Sequence, residues 1–238
     1  MNLSVIIPAL NEARHLTAAI RAVRDKAALG EPRDIIVVDS GSTDGTGEVA
    51  RGLGARLVGC GHNQGGRAAA LNRGAESATG DVFLFLDADT LPPLGYDQSI
   101  KSVLEDPGVV GGAFEFALSG SGFALRLVEL VNRVRYRIWR RYYGDQGVFV
   151  RAEVFRRLGG YPPRRILEAS EFCVSLGRVG KLALIPKKMV TSPRRFVDGG
   201  VYTVLANDVK IWWLDLIGRP VDHYADAYWE QNRQRGEG

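Results

Sequence analysis

Val82-Phe83-Leu84-Phe85-Leu86-Asp87-Ala88-Asp89 is an apolar run that ends abruptly on two carboxylates. Five apolar residues between Gly80 and the turn-forming Thr90-Leu91-Pro92-Pro93 are too few for a helix and read as a strand buried on both faces. Leu3 to Ile7 and Ile35 to Val38 have the same character, ending at Pro8 and Asp39, and Ala55 to Val58 makes another short strand. Helical stretches separate these runs. After Asn11, a good N-cap, Leu16, Ile20 and Val23 share one helical face. The cluster Gly41-Ser42-Thr43-Asp44-Gly45 can cap a second helix, and Gly66 to Thr79 forms a third, stopped by Gly80. Strands alternating with helices predict an α/β fold with a mostly parallel central sheet flanked by helices.

Beyond Pro107 the pattern is less regular. Val109 to Leu118 is apolar but carries glycines, Ser121 to Tyr143 is a long helix, and Val148 to Val150 is a strand followed by a helix that ends at Gly159-Gly160. Lys181 to Ile185 and Lys188 to Thr191 read as strands and Val201 to Leu216 as a terminal helix, with a frayed polar tail after Trp229. No repeat or low-complexity linker divides the chain. A single domain over 1–238 is expected, with halves of about 1–112 and about 113–238, the second smaller in its regular structure and more irregular.

Composition narrows the function. The chain has 238 residues, and its 31 Lys and Arg against 27 Asp and Glu give a formal charge of +4. That excess is too mild and too scattered for a nucleic-acid partner and suits a small anion or an anionic surface. Cys60 and Cys173 have no metal or disulfide spacing, and His15, His62 and His223 have no ligand spacing. The start lacks a basic, long apolar leader, and Val201 to Ile217 is interrupted by Asn207, Asp208, Lys210 and Asp215, so a cytoplasmic protein is expected, with any membrane contact peripheral.

Ligands of an open parallel sheet sit at the carboxyl ends of its strands, where loops and helix starts present unpaired donors. Asn11 and Glu12 follow the first strand, Asp39 and Ser40 the second, and Asp87 and Asp89 the fourth, so three segments can converge on one crevice. Two carboxylates at Asp87 and Asp89 suit a hard divalent cation completed by diphosphate oxygens and water. Aspartates after a strand also serve as plain turn residues. Arg67, at a helix start, could hold phosphate; Arg73 is a weaker candidate, and either could simply lie on a solvated face.

In order and spacing, Leu3 to Glu12, Ile36 to Thr46, Gly65 to Gly74, Ala78 to Asp81 and Phe85 to Thr90 resemble glycosyltransferase family 2, of the GT-A fold. Gly144 to Arg151, Gly159-Gly160-Tyr161-Pro162 and Thr191 to Phe196 look like a short bacterial subgroup of that family. The resemblance implies a metal-dependent transfer of a sugar from a nucleoside diphosphate to a hydroxyl acceptor, with inversion. It makes 1–112 the nucleotide-sugar half, and 113–238 the acceptor half with a C-terminal helix. Pro8, Ala9 and Glu12 would line the base and ribose pocket, and Asp39 would accept a hydrogen bond from the nucleobase. Asp87 would face the ribose or metal, and Asp89 would ligate Mn or Mg directly. A ring N–H suits a carboxylate at Asp39, so uridine diphosphate is the first expectation and guanosine diphosphate the second. Asp39 could instead cap the turn after it. Arg194 and Arg195 could close over the diphosphate, and one of the pair is expected to do so.

The family's usual base is the aspartate of a Glu-Asp pair before a helix. Here Glu168 aligns, but Ala169 stands where the aspartate belongs, and an alanine cannot take a proton. Glu168, Glu171 and Asp145 are the candidate bases, Glu171 being able to share a helix face with Glu168. The rival reading is a nucleotide-sugar-binding protein without transfer activity. A dinucleotide oxidoreductase would need a glycine turn after Ile7, and a nucleotidyltransferase a basic glycine-rich loop; neither is present. The Ser121 to Tyr143 helix carries Arg126, Arg133, Arg135, Arg137, Arg140 and Arg141 beside aromatic residues. Leu127, Leu130, Val131 and Val134 are expected to pack on the domain, with contact to the inner membrane face as the alternative.

Overall fold

A computed structural model describes residues 1–30, 32, 34–61 and 66–226. His62, Gly65 and the tail after Trp229 lie outside them. The first half runs β1 (Leu3–Ala9), α1 (Ala13–Asp25), β2 (Asp34–Asp39), α2 (Thr46–Gly52), β3 (Arg56–Gly59), α3 (Gly66–Ser77) and β4 (Val82–Phe85). These strands are parallel in the order β3-β2-β1-β4. The chain steps outward from β1 to β3 and then returns to its other side, and that reversal opens a crevice at the carboxyl ends of β1 and β4.

Alternation along each strand sorts the core. Val5 and Ile7 of β1 pack with Leu16, Ile20 and Val23 of α1, while Ile6 faces a cluster with Leu71 and Ala75 of α3. The same period-two split in Ile35 and Val37 against Ile36 and Val38 gives two apolar layers around one sheet. Gly74 lets α3 lie close to the sheet: a Cβ there would fall 2.5 Å from Ile6 Cγ2 and 2.8 Å from Val38 Cγ2.

The second half runs β5 (Thr90–Leu91), α4 (Tyr96–Val103), β6 (Val109–Leu118), α5 (Phe123–Trp139), β7 (Val148–Arg151), α6 (Ala152–Arg157), α7 (Glu168–Val179), β8 (Lys181–Thr191), α8 (Arg194–Gly199) and α9 (Val201–Leu216). It extends the sheet to eight strands, ordered β3-β2-β1-β4-β7-β6-β8-β5. β7 runs antiparallel to both β4 and β6, β6 runs parallel to β8, and β5 is antiparallel to β8. The sheet is therefore parallel in its first half and mixed in its second.

Three local readings change. Asn11 is not the N-cap of α1: Glu12 occupies that position, and Asn11 has a left-handed φ of 55°. The start of α1 is satisfied from the β2–α2 loop instead, Ala13 N donating to Asp44 Oδ2 at 3.0 Å and Glu12 N to Thr46 Oγ1 at 2.9 Å. Thr90-Leu91 is a short strand rather than only a turn, paired with Val190 and Thr191. On α5 the face turned to the core is Leu125, Val128 and Tyr136, whereas Leu130 and Val134 are exposed. Leu127 and Val131 are partly buried against the same cluster, as expected, so the packing of α5 on β6 and α9 turns two of the four expected residues inward and leaves two outside.

Candidate active site

Two ion-paired groups and a buried carboxylate meet at the carboxyl end of the sheet. Arg67, in the first turn of α3, donates from Nη2 to Asp87 Oδ1 at 2.5 Å and from Nε to the same oxygen at 3.2 Å. Its Nη1 donates to Glu168 Oε1 at the start of α7. Burial alone would weaken the charge on this guanidinium, but Asp87 and Glu168 reverse that and raise its pKa. Tyr161 lies buried beside the cluster, and burial raises its phenol.

The second group joins the first strand end to the fourth. Arg194 donates to both carboxylate oxygens of Glu12, at 3.0 Å from Nη1 to Oε2, and its Nε lies 3.1 Å from Asp89 Oδ2. Thr191 Oγ1 donates to Asp89 Oδ1 at 3.3 Å, and Ser192 N to the Asp89 carbonyl at 3.2 Å. These contacts exist because β5 pairs with β8, which ends the long strand beside Asp89. Burial pushes the Asp89 carboxyl up to about 6; Arg194 opposes this, while Asp87 and Glu12 reinforce it. Arg195 turns away to Asp208 of α9, with Nη1 3.0 Å from Oδ2. Of the two arginines, Arg194 is the one that reaches the crevice carboxylates.

Asp145 forms the third group. Val148 of β7 pairs with Phe85 of β4, so the residues just before β7 sit at the same sheet end as Asp87. The single turn Gly144–Gln146 is held by Gln146, whose Nε2 donates to Phe114 O at 3.0 Å and whose Oε1 accepts from Tyr143 N at 3.1 Å. The turn lies directly against the Arg67 guanidinium: a Cβ at Gly144 would fall 2.0 Å from Arg67 Nη2. Asp145 Oδ1 is buried and accepts no hydrogen bond among the described residues. Burial, then the Asp87 charge, push its carboxyl up to about 7 against the pull of Arg135, Arg67 and Arg195.

Other candidates fall outside this cluster. Glu171, three residues on from Glu168 in the first turn of α7, takes a different partner: it pairs with Arg164 at 2.9 Å, beside Asp215. Ala169 is 3% exposed and belongs to the apolar cluster that includes Phe155, Tyr161 and Phe172. Arg73 makes a surface pair with Glu76 at 3.0 Å, the bland alternative for that residue. Asp39 Oδ1 accepts from Ser42 N at 2.9 Å, Ser42 Oγ at 2.6 Å and Gly41 N at 3.2 Å, so the turn-capping role is filled by one oxygen. Ala9 is buried in the core, while its neighbour Pro8 is half-buried on the opposite face of β1. Sequence reasoning missed Thr191 and Tyr161, whose relevance depends on strand pairing and on burial beside Arg67.

Among the described residues no three His, Cys, Asp or Glu side chains gather as a ready metal cage. Asp87 and Asp89 are hard oxygen donors of the type that holds Mg or Mn with most positions left to a diphosphate and water. The donor chemistry therefore fits such an ion.

A crevice at a topological switch, lined by paired carboxylates and arginines, on a mixed sheet flanked by helices, defines the GT-A class of fold. The chain belongs to Glycosyl transferase family 2, whose pattern it matches over residues 4–158. It is 31% identical over 168 residues to the glycosyltransferase AglE of Haloferax volcanii, covering 67% of this chain and 55% of that one. It is also 31% identical over 156 residues to the undecaprenyl-phosphate 4-deoxy-4-formamido-L-arabinose transferase of Aeromonas hydrophila, covering 63% of this chain and 48% of that one. The chain thus spans about half the length of the curated relatives it matches. Among solved structures, glucosyl-3-phosphoglycerate synthase of Mycobacterium tuberculosis, in complex with Mn2+, UDP-glucose and phosphoglyceric acid, superposes with a TM-score of 0.65 at 24% identity, over 92% of this chain and 80% of that one. The mannosyltransferase PcManGT of Pyrobaculum calidifontis, in complex with GDP-mannose and Mn2+, gives 0.61 at 24% identity, over 79% of this chain and 56% of that one.

Proposed function

We propose that this chain is an inverting glycosyltransferase that moves a sugar from a nucleoside diphosphate to a hydroxyl acceptor and depends on Mn or Mg. The observation that carries the reading is the pair of arginines that tie Glu12, Asp87, Asp89 and Glu168 together at the switch point of the sheet. Arginine–carboxylate pairs of this kind can re-partner: a diphosphate can take the guanidinium groups while a cation takes the freed carboxylates. Asp89 would be the direct metal ligand, with Asp87 toward the ribose or the same ion; a bound ion would offset the charge of the departing diphosphate. Arg67 and Arg194 would hold phosphate oxygens, with Arg195 a step behind. Asp39 would accept the nucleobase N–H on its second oxygen, and Pro8, the Ala9 backbone and Glu12 would flank base and ribose. Uridine and guanosine diphosphates both carry the required N–H, and the two related structures hold UDP-glucose and GDP-mannose respectively.

A peripheral membrane site belongs to the same reading. No helix among the described residues is long and apolar enough to cross a membrane. α5 and α9 pack together, with the Trp139 and Trp212 rings 5.0 Å apart, and each shows an exposed apolar row: Phe123, Leu130, Val134 and Ile138 on one, Tyr202, Val209 and Trp213 on the other. Arg133 and Arg137 share the single carboxylate of Glu115, and Arg140 and Lys210 are exposed, so the rim is basic. A second copy on a two-fold axis would set like rims together, whereas anionic headgroups complement them.

The donor site is tested by thermal shift with nucleoside diphosphates and their sugars, with and without Mn, on the parent and on Asp89→Ala. A ligand at a hundred times its Kd adds about 2.7 kcal/mol, which for this chain length raises the midpoint by roughly 5 to 10 °C. A Mn-dependent rise that Asp89→Ala abolishes is expected; no rise with any nucleotide would remove the reading.

A further inference from the structure

An acceptor hydroxyl must lose its proton as it attacks the anomeric carbon, and Ala169 offers no group to take it. The question rests on the transfer reading above and is answered by elimination among Glu168, Glu171 and Asp145. Glu171 is paired with Arg164, which also holds Asp215, and not with Arg67. Glu168 is ion-paired with the buried guanidinium of Arg67, which also holds Asp87, so its carboxylate is engaged within the charged cluster. Asp145 differs from both. Among the described residues its Oδ1 is buried without a hydrogen-bond donor, on a turn that Gln146 fixes and that lies against Arg67 at Gly144.

We propose that Asp145, not a residue at position 169, is the general base of this chain. Its carboxylate takes the hydroxyl proton while the acceptor oxygen forms its bond to the anomeric carbon. The bond from that carbon to the diphosphate oxygen breaks, and its electron pair leaves with the diphosphate. The β4–β7 pairing brings Asp145 to the Asp87 end of the crevice from the β7 side of β4, opposite the strand ends that carry Asp39 and Glu12. A carboxyl that burial holds near neutrality is matched to proton uptake at neutral pH. The base thus comes from the loop before β7 instead of the start of α7. Position 169 is then free to be an apolar packing residue, as its burial beside Phe172 requires.

The test measures nucleotide release from UDP-glucose and from GDP-mannose, with Mn and glycerol as the hydroxyl probe, alongside donor-induced thermal shift. Asp145→Asn is expected to lower turnover by about 100-fold or more while keeping the donor-induced shift, and Asp145→Glu to restore part of the rate. Turnover of Asp145→Asn within about threefold of the parent, or an equal loss in Glu171→Gln, would overturn the assignment. So would a large gain from Ala169→Asp that no longer depends on Asp145. A parent protein that shows no shift with any donor would instead refute the donor site, and the base along with it.

Discussion

Replacing Asp145 by asparagine should stabilise the protein, and more so as the pH rises. In the folded chain burial pushes this carboxyl up to about 7, from an ordinary value of 3.8. A raised folded pKa means that the stability contributed by the protonated form is complete below about 3.8 and is lost as pH rises through about 7. At 1.36 kcal/mol per pH unit the whole interval is worth at most about 4 kcal/mol. Between pH 5 and pH 8.5 about two of those units are crossed, or roughly 2.7 kcal/mol. The groups that set this balance are Asp87, which adds to the burial, and Arg135, Arg67 and Arg195, which oppose it. Asparagine keeps the shape and does not titrate. Thermal melts of parent and Asp145→Asn in EDTA, which keeps cations off the neighbouring carboxylates, should show the gap in midpoint widening by about 5 to 10 °C from pH 5 to pH 8.5. A gap that stays constant across that range would mean that Asp145 is not a buried, unpaired acid, and the reasoning would fail.

Glu168→Gln leaves the Arg67 guanidinium with Asp87 as its remaining ion-pair partner among the described residues, and should cost about 3 kcal/mol in urea unfolding; a cost below about 0.5 kcal/mol would argue for a solvated pair. Gly74→Ala forces a methyl into Ile6 and Val38, so a loss of about 1 to 3 kcal/mol is expected, where an open helix position would gain stability from the same change. Vesicle sedimentation should show binding to phosphatidylglycerol but not to phosphatidylcholine, reduced at least about tenfold by Ile138→Asp with Trp213→Asp. Concentration-dependent dimerisation that the same pair of changes abolishes would assign the surface to a second copy.

Much of the fold and part of the site were legible in the residues themselves. The apolar runs before Pro8, Asp39 and Asp87 determine parallel strands because only a sheet covered on both faces can bury such runs, and their ends determine which polar residues share a crevice. The departure at Ala169 is equally local, and so is the chemistry that a pair of aspartates offers to a cation. Tertiary structure decided the rest. Helical spacing let Glu168 and Glu171 face alike, but the seat of α7 gives one to Arg67 and the other to Arg164. Two adjacent arginines are equivalent in sequence, yet the β5–β8 pairing turns Arg194 to Asp89 and leaves Arg195 to Asp208. Asp145 stands 58 positions after Asp87 in the chain, and nothing short of the antiparallel β4–β7 ladder could set it at the same sheet end. Local pattern encodes which residues are buried and which elements form. The partner of a charged side chain is chosen by contacts between segments distant in sequence, whose geometry exists only after the sheet has closed.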